Sequence, residues 1–469
     1  MTKLGFIKSL MTAVIPLTAI SIPVQITAQQ IEPQNFDMPA PVTHLSPTLL
    51  MLSREECIEI ALSQSPTIKV ADLEVVRYDY SKKETLASLF PQIDFQLAYQ
   101  RSIKLQTVTM DFGGQTQKMK MGSDNTWNTG FSVSLPIIAP TLWKAISLSD
   151  SQILASLESA RSSRLELINQ VNQAYYSLLL ANSSKEVIKE NYEIAKITAD
   201  IFEKQFKQGT ASEYDVLRSS VQVKNIEPEL LQADIAIRQC ELQLKVLMGM
   251  GNEVEIHPTI KLEDLQRDMY VYQLDDRSLS NNSSLRSLDI STETARKNVT
   301  LKKFEYLPTL GASYNLNWLA LSNGSPFKNQ EFSPYSNVAL SLNVPIFSGG
   351  KRYNAVRQAK VQVKELELQR ENLVNSLNMQ VELALDNINR QARQIETSKE
   401  GVGQAVKAHE IMQKSFEIGA ASYLELRDSE LAETSARLSY LQSIYNFLVS
   451  SSELDMLLGR ENSLITSKN

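Results

Sequence analysis

The chain repeats one segment of its own sequence after 210 residues. The segment Phe-Lys-Gln-Gly-Thr-Ala-Ser-Glu-Tyr-Asp begins at Phe206, and Phe-Glu-Ile-Gly-Ala-Ala-Ser-Tyr-Leu-Glu begins at Phe416, so 416 − 206 = 210. The same offset returns at Gly249 and Gly459, 459 − 249 = 210. A constant register over roughly 45 residues indicates duplication of one structural unit. Each unit contains a strand pair and very long helices, so we expect that neither buries its apolar surface alone.

The N-terminus has the composition of an export signal. Lys3 and Lys8 precede the apolar run Leu10–Ile22, and Ala28 stands before two glutamines. This pattern predicts a signal peptide that is cleaved after Ala28. Later segments lack a run of about 18 apolar residues, which predicts no transmembrane helix. The net charge of −6 argues against a nucleic-acid partner.

Four short segments alternate apolar and polar residues with a period of two: Gln92–Gln100, Trp127–Leu135, Thr309–Trp318 and Asn337–Val344. The polar residues are small and mostly uncharged, and aromatic residues lie near the ends. This pattern is typical of membrane β-strands around a wet lumen. A half-buried sheet of a soluble protein would show the same alternation. Loops are expected at Lys104–Asn125 and Ala320–Pro334, between the strands of each pair.

Long helices are predicted between the strand pairs. Thr141 to Gln208 contains no Gly or Pro, and at 1.5 Å per residue it would form a helix of about 100 Å. Its apolar residues recur in steps of four and three on two neighbouring faces, which indicates a partner helix on each side. The other predicted segments are Ser53 to Leu89, Ser212 to Met248 with a kink at Pro228, Ser278 to Tyr306, Lys351 to Ile418 with interruptions at Gly401 and Gly403, and Ser422 to Leu458.

Both helical hairpins have a tip of glycine, serine and acid with the same spacing. The glycine supplies the left-handed conformation that ends the long helix. The serine can cap the following helix, and the acid completes a capping box. The tip residues are Gly209, Ser212 and Asp215 in the first hairpin and Gly419, Ser422 and Glu425 in the second.

With these tips, the duplicated strand pairs, the long helices and the export signal, the sequence resembles the TolC-like outer-membrane efflux family from about Ser53 to Gly459. The resemblance implies a mixed, mainly α fold, with a long-helix α-barrel tunnel and a transmembrane β-barrel of four strands per protomer, twelve in a trimer. It implies a passive homotrimeric channel with porin activity, located in the outer membrane of a Gram-negative bacterium and extending into the periplasm. Its implied partners are outer-membrane lipid, a periplasmic adaptor protein and an inner-membrane pump of the resistance-nodulation or ABC type. The channel would be the exit duct of a tripartite efflux or type I secretion system.

The resemblance also implies roles for individual residues. The positions that match adaptor-docking tips are Phe206, Gly209, Ser212, Phe416, Gly419 and Ser422, and those that match the pore entrance are Asp215, Glu425 and Asp428. Rings of carboxylates in a narrow aqueous throat favour cations. Acids near a helix N-terminus also interact favourably with the helix dipole, but this explanation is weaker for Asp428, about two turns into its helix. Where the family has an Arg and a Tyr that lock the entrance, this chain has Ala420-Ala421 and Phe416.

Residues that could carry catalysis or bind a metal are sparse. His44, His257 and His409 are not spaced with other ligands, so no zinc site is predicted. His409 is expected on a surface or a helix seam. We therefore predict no enzyme activity, no cofactor and no metal. Cys57 and Cys240 are expected on helices as small buried residues, and the sequence leaves their pairing open.

These observations predict a division of the chain into 1–28 (signal peptide), 29–52 (extended segment), 53–250 (first repeat), 251–277 (side structure), 278–460 (second repeat) and 461–469 (tail). An exported trimeric coiled-coil adhesin or scaffold without a pore is the alternative function. It explains the long helices but not the four strands. A soluble periplasmic helical enzyme is a third possibility, for which the sequence offers no candidate site.

Overall fold

The computed structural model describes residues 48–112, 115–266, 277–327 and 330–460. Residues 48–49 and Glu253–Glu255 belong to a small compact unit, and the other described residues form a large one. The predicted signal peptide and tail, and most of the predicted extended segment, lie outside the described residues, so the predicted division of the chain stays a prediction.

Helices make up most of the described chain, and the mainly α fold with a β part is confirmed. The helices are α1 (Arg54–Gln64), α2 (Pro66–Ala87), α3 (Pro140–Lys207), α4 (Glu213–Met248), α5 (Ser283–Phe304), α6 (Lys351–Glu417) and α7 (Tyr423–Leu458). The strands are β1 (Thr48–Leu52), β2 (Gln92–Arg101), β3 (Gln106–Phe112), β4 (Gln115–Met121), β5 (Asn125–Ile138), β6 (Val254–Pro258), β7 (Thr309–Ser322) and β8 (Phe332–Asn343). None of the helices in the described ranges combines the length and hydropathy that crossing a membrane requires.

The four predicted strands form one antiparallel sheet in the order β2-β5-β7-β8. Phe95 pairs with Phe131, which pairs in turn with Leu316, so apolar residues of neighbouring strands share a face. Gly130 lies where β5 and β7 approach closely, because a Cβ there would lie 2.2 Å from the Asn317 Oδ1 atom. Within the described residues, β2 and β8 each pair with one strand, so both outer edges of the sheet are free.

The structure corrects the predicted elements in three places. The segment predicted as a loop at Lys104–Asn125 contains the hairpin β3-β4, and alternation in Thr107-Val-Thr109 is a strand signal that the prediction overlooked. The helix predicted from Ser53 is split at Pro66, because proline disfavours helical geometry in the preceding residue. The predicted interruptions of α6 at Gly401 and Gly403 are wrong, since an internal glycine weakens a helix by only about 1 kcal/mol.

The core lies where α1, α3, α4 and α7 meet, near the middle of the long helices. Its largest fully buried side chains include Tyr175, Tyr176, Leu179, Leu244, Met248 and Ile444. Cys57 is also buried here, and Cys240 on α4 is half-buried; both are free thiols. Burial raises the pKa of Cys57 to about 12.

A charged junction joins the end of α7 to α3. The Arg161 guanidinium donates hydrogen bonds to the Glu158 carboxylate (3.0 Å), the Asn281 carbonyl (3.0 Å) and the Gly459 carbonyl (2.9 Å). Gly459 has a φ of +70°, and a Cβ there would lie 2.0 Å from the Asn281 oxygen. The junction therefore needs both the glycine and the arginine, and it holds the two repeats together at this end.

Two rows of helices continue the order of the sheet. Beside the sheet the order is α2-α3-α5-α6, and towards the hairpin tips it is α4-α3-α7-α6. In the sheet and in both rows, one outer edge therefore belongs to the first repeat and the other to the second. The first-repeat edge consists of β2, α2 and α4, and the second-repeat edge consists of β8 and α6.

Candidate functional site at the hairpin tips

The two tips have the same backbone design. Gly209 and Gly419 both have a φ of +76°, and a Cβ at either would meet no atom within 4 Å. Their left-handed backbone turns the chain after α3 and after α6, where the Thr210 and Ala420 amides donate to carbonyls five residues earlier. Glycine is therefore required here by conformation, and the space around it remains open.

Each serine caps the helix that follows its tip. Ser212 accepts a hydrogen bond from the Asp215 amide at 3.2 Å and donates from its hydroxyl to the Asp215 carboxylate at 2.6 Å. Ser422 and Glu425 form the same box at 3.3 and 2.9 Å. The hydrogen bonds from Ser422 lower the pKa of Glu425. Two of the three predicted entrance acids are thus held at the tips by capping boxes.

Asp428 lies one turn beyond Glu425 on α7 and is exposed. It is therefore placed close to the second tip along the chain. The roles predicted for the three acids at a pore entrance stay predictions, as do the adaptor-docking roles of the six tip residues.

The two tip phenylalanines differ in environment although they occupy the same place in the repeat. Phe206 is 46% exposed. Phe416 is half-buried, and its ring centroid lies 6.0 Å from that of Phe202 and 6.3 Å from that of Tyr423. The Phe202 and Tyr423 rings are 5.0 Å apart in an edge-to-face arrangement. We call Phe202, Phe416 and Tyr423 the aromatic cluster.

The aromatic cluster joins the two hairpins. Its rings come from α3, α6 and α7, and the Arg218 guanidinium of α4 lies 5.7 Å from the Tyr423 ring centroid. That distance is within the range of a cation–π interaction. The sequence predicted apolar stripes on the long helix that contains Phe202 but no role for Tyr423 or Arg218, because no local pattern indicates which helices meet here.

A set of charged residues lies at the seam of α3, α6 and α7. We call Glu190, His409, Glu430, Glu433 and Arg437 the seam network. The Nδ1 atom of His409 lies 2.6 Å from the Glu433 carboxylate, whose other oxygen accepts from Arg437 at 2.5 Å. Arg437 also donates to Glu190 at 2.8 Å. His409 is thus at a helix seam, one of the two locations expected for it, and no sequence pattern indicated the acids around it.

Comparisons with known proteins agree with this architecture. The model of the family described as outer membrane efflux protein matches residues 57–250 and 274–460. The alkaline protease secretion protein AprF of Pseudomonas aeruginosa is 24% identical over 436 residues, which cover 89% of this chain and 88% of AprF. The outer membrane protein TolC of Escherichia coli K12 is 22% identical over 371 residues, 74% of this chain and 75% of TolC.

Solved structures share the fold. A crystal structure of CusC has a TM-score of 0.70 at 17% identity and covers 90% of this chain and 99% of that chain. The Campylobacter jejuni CmeC outer membrane channel has a TM-score of 0.68 at 16% identity and covers 88% of each chain.

Proposed function

The chain belongs to the outer membrane efflux protein family, and we propose that three copies of it form the passive exit duct of a tripartite efflux or type I secretion system. It is an outer-membrane efflux channel of a Gram-negative bacterium. The observation that carries the trimeric duct is that, in the described part of the chain, the sheet and both helical rows have free edges at corresponding sides.

The edges of one copy suit the opposite edges of the next. Strands β2 and β8 run in opposite directions, since three antiparallel pairings separate them. If β8 of one copy lies beside β2 of another, the antiparallel alternation continues without a break. A contact between two different edges is head-to-tail, and repeated contacts of this kind form a ring when the rotation between copies closes. Three copies of the four-stranded sheet would give 3 × 4 = 12 strands and leave no free edge in that sheet.

Apolar side chains follow the helical edges. They are exposed on both sides, at Val70, Leu73 and Tyr80 of α2, Leu217 and Val221 of α4, and Val361, Leu368 and Ile411 of α6. Large apolar side chains that are exposed in groups are typical of interaction surfaces. The proposed ring covers them, which supports the same assembly as the sheet.

The proposed partners act at the tips and at the sheet. Outer-membrane lipid would surround the twelve strands, and a periplasmic adaptor would dock at Phe206, Gly209, Ser212, Phe416, Gly419 and Ser422. The adaptor would link the duct to an inner-membrane pump of the resistance-nodulation or ABC type, which supplies the energy. We propose that the duct itself catalyses no reaction.

The proposed pore entrance contains Asp215, Glu425 and Asp428. Three copies would place three carboxylates of each kind around the axis, and the capping boxes hold the first two near the tips. A narrow aqueous throat with such rings favours cations over anions. Replacing Asp428 with Asn removes one ring without touching a cap and should reduce cation preference in reversal-potential measurements.

The assembly is tested by native mass spectrometry and planar-bilayer recording of the purified protein. The parent should be a trimer that conducts ions. Leu368→Glu places a charge on the apolar edge of α6 and should reduce both the trimer fraction and the conductance. Gln369→Glu adds the same charge at an adjacent exposed polar position and is the matched control. A parent trimer without conductance would support a scaffold instead, and a stable monomer would overturn the assembly.

A further inference from the structure

Glu430 is the unusual member of the seam network. It is only 7% exposed, and among the described residues its carboxylate takes part in no hydrogen bond or ion pair. It lines a cavity of about 20 Å³ together with Asn191, Ile194 and Thr434. That volume holds about one water molecule. Burial of the side chain disfavours the charged form of the carboxylate, so this position favours a group that can take up a proton.

The charged groups around Glu430 come from all three helices of the seam. Helix α3 contributes Glu190, α6 contributes His409, and α7 contributes Glu433, Arg427 and Arg437. Burial raises the pKa of Glu430, His409 and Arg427 oppose the increase, and Glu433 adds to it. Three carboxylates therefore share this seam with two arginines and one imidazole, and histidine side chains commonly change charge near neutral pH.

We propose that Glu430 and the His409–Glu433 pair form a proton-binding site whose occupancy stabilises the packing of α7 against α3 and α6. A proton on Glu430 removes the charge from the buried carboxylate. A proton on His409 turns its 2.6 Å contact with Glu433 into an ion pair and places a positive charge near Glu430. Both steps neutralise negative charge inside the packed seam.

Proton binding and packing are then linked in a definite direction. The packed seam raises the pKa of Glu430. The stability that proton binding to Glu430 gives the packed seam is therefore complete at pH values below the ordinary pKa of glutamate, and it is lost as the pH rises through the raised pKa. Acidification should favour the packed seam, and alkaline conditions should loosen it. Helix α7 begins directly after the second tip at Ser422, so the site would make the mobility of that tip depend on pH.

The test is amide hydrogen exchange of the full chain, followed by mass spectrometry and corrected for the intrinsic pH dependence of exchange. Protection of residues 426–437 should fall roughly fivefold or more between about pH 5 and about pH 8 in the parent. Glu430→Gln keeps the size of the side chain and cannot ionise, so the pH dependence of its protection should shrink to the part that His409 contributes. Glu410→Gln changes an exposed acid beside His409 and should behave like the parent.

A second variant tests the other half of the site. His409→Gln removes the proton acceptor opposite Glu433, so its protection at about pH 5 should drop towards the value of the parent at about pH 8. The proposal is overturned if the parent shows equal protection at both pH values. It is also overturned if Glu430→Gln keeps the parent's pH dependence, or if His409→Gln protects residues 426–437 as well as the parent does at low pH.

Discussion

Truncation of Phe202 should separate the two hairpins near the second tip. Phe202 is 6% exposed and contacts both other rings of the aromatic cluster, from α6 and α7. A phenylalanine contributes about 200 Å² of surface, so nearly complete burial at about 25 cal/mol per Å² gives an upper value of about 5 kcal/mol. Measured Phe→Ala changes in packed sites weaken stability by about 3–5 kcal/mol. We therefore expect Phe202→Ala to make local opening of the seam more frequent by at least roughly a hundredfold.

The readout is amide hydrogen exchange of residues 416–426, which contain the second tip and the start of α7. Local opening governs exchange when closing is fast, so the increase in exchange rate reports the lost packing energy. The control is Phe206→Ala, one helical turn further along α3. Phe206 is 46% exposed, so its truncation should change exchange only near the first tip, and by roughly tenfold or less.

The comparison of the two variants tests whether the aromatic cluster holds the hairpins together. If Phe202→Ala leaves residues 416–426 as protected as in the parent, the aromatic cluster does not hold the hairpins together. An equal increase in the exchange rate of residues 416–426 in Phe206→Ala would also contradict this prediction, because the buried and the exposed side chain would then have the same effect.

Three further outcomes can be measured on the purified protein. Gly130→Ala should lower the thermal midpoint of unfolding because its Cβ would collide with the side chain and a backbone carbonyl of β7, whereas Gly251→Ala, where a Cβ meets no atom within 4 Å, should not. Arg161→Met should destabilise the repeat junction by about 1–3 kcal/mol in denaturant unfolding, because it removes the hydrogen bonds to the Asn281 and Gly459 carbonyls while the buried Glu158 keeps Arg286 as a partner. Arg164→Met, on an exposed ion pair, should change stability by less than about 1 kcal/mol. Cys57 should resist maleimide at about pH 8 until the protein is denatured, since burial raises the thiol pKa to about 12 and keeps the reactive thiolate scarce; rapid labelling of the native protein would contradict this.

Local sequence patterns predicted most of the elements. The period-two segments became the four strands of one sheet, and the segment without Gly or Pro from Thr141 became α3, 68 residues long. The spacing of Gly, Ser and acid predicted both capping boxes, because a cap is made by residues three apart on one chain. Two wrong predictions also concern local rules. Gly401 and Gly403 were expected to interrupt a helix that is continuous, and Pro66 divides a helix that was expected to be continuous.

The sequence by itself determined the duplicated plan, the kinds of element and the conformation of the tips, since these depend on neighbours within a few residues. Only the tertiary structure decided that Phe416 turns inward while its repeat partner Phe206 remains half exposed, because Phe202 and Tyr423 come from other helices. It alone brought His409 of α6 to Glu430 and Glu433 of α7. Contacts between residues that are distant along the chain depend on which helix faces meet. The tips of the two repeats have similar sequences, but different side chains from other helices pack against them.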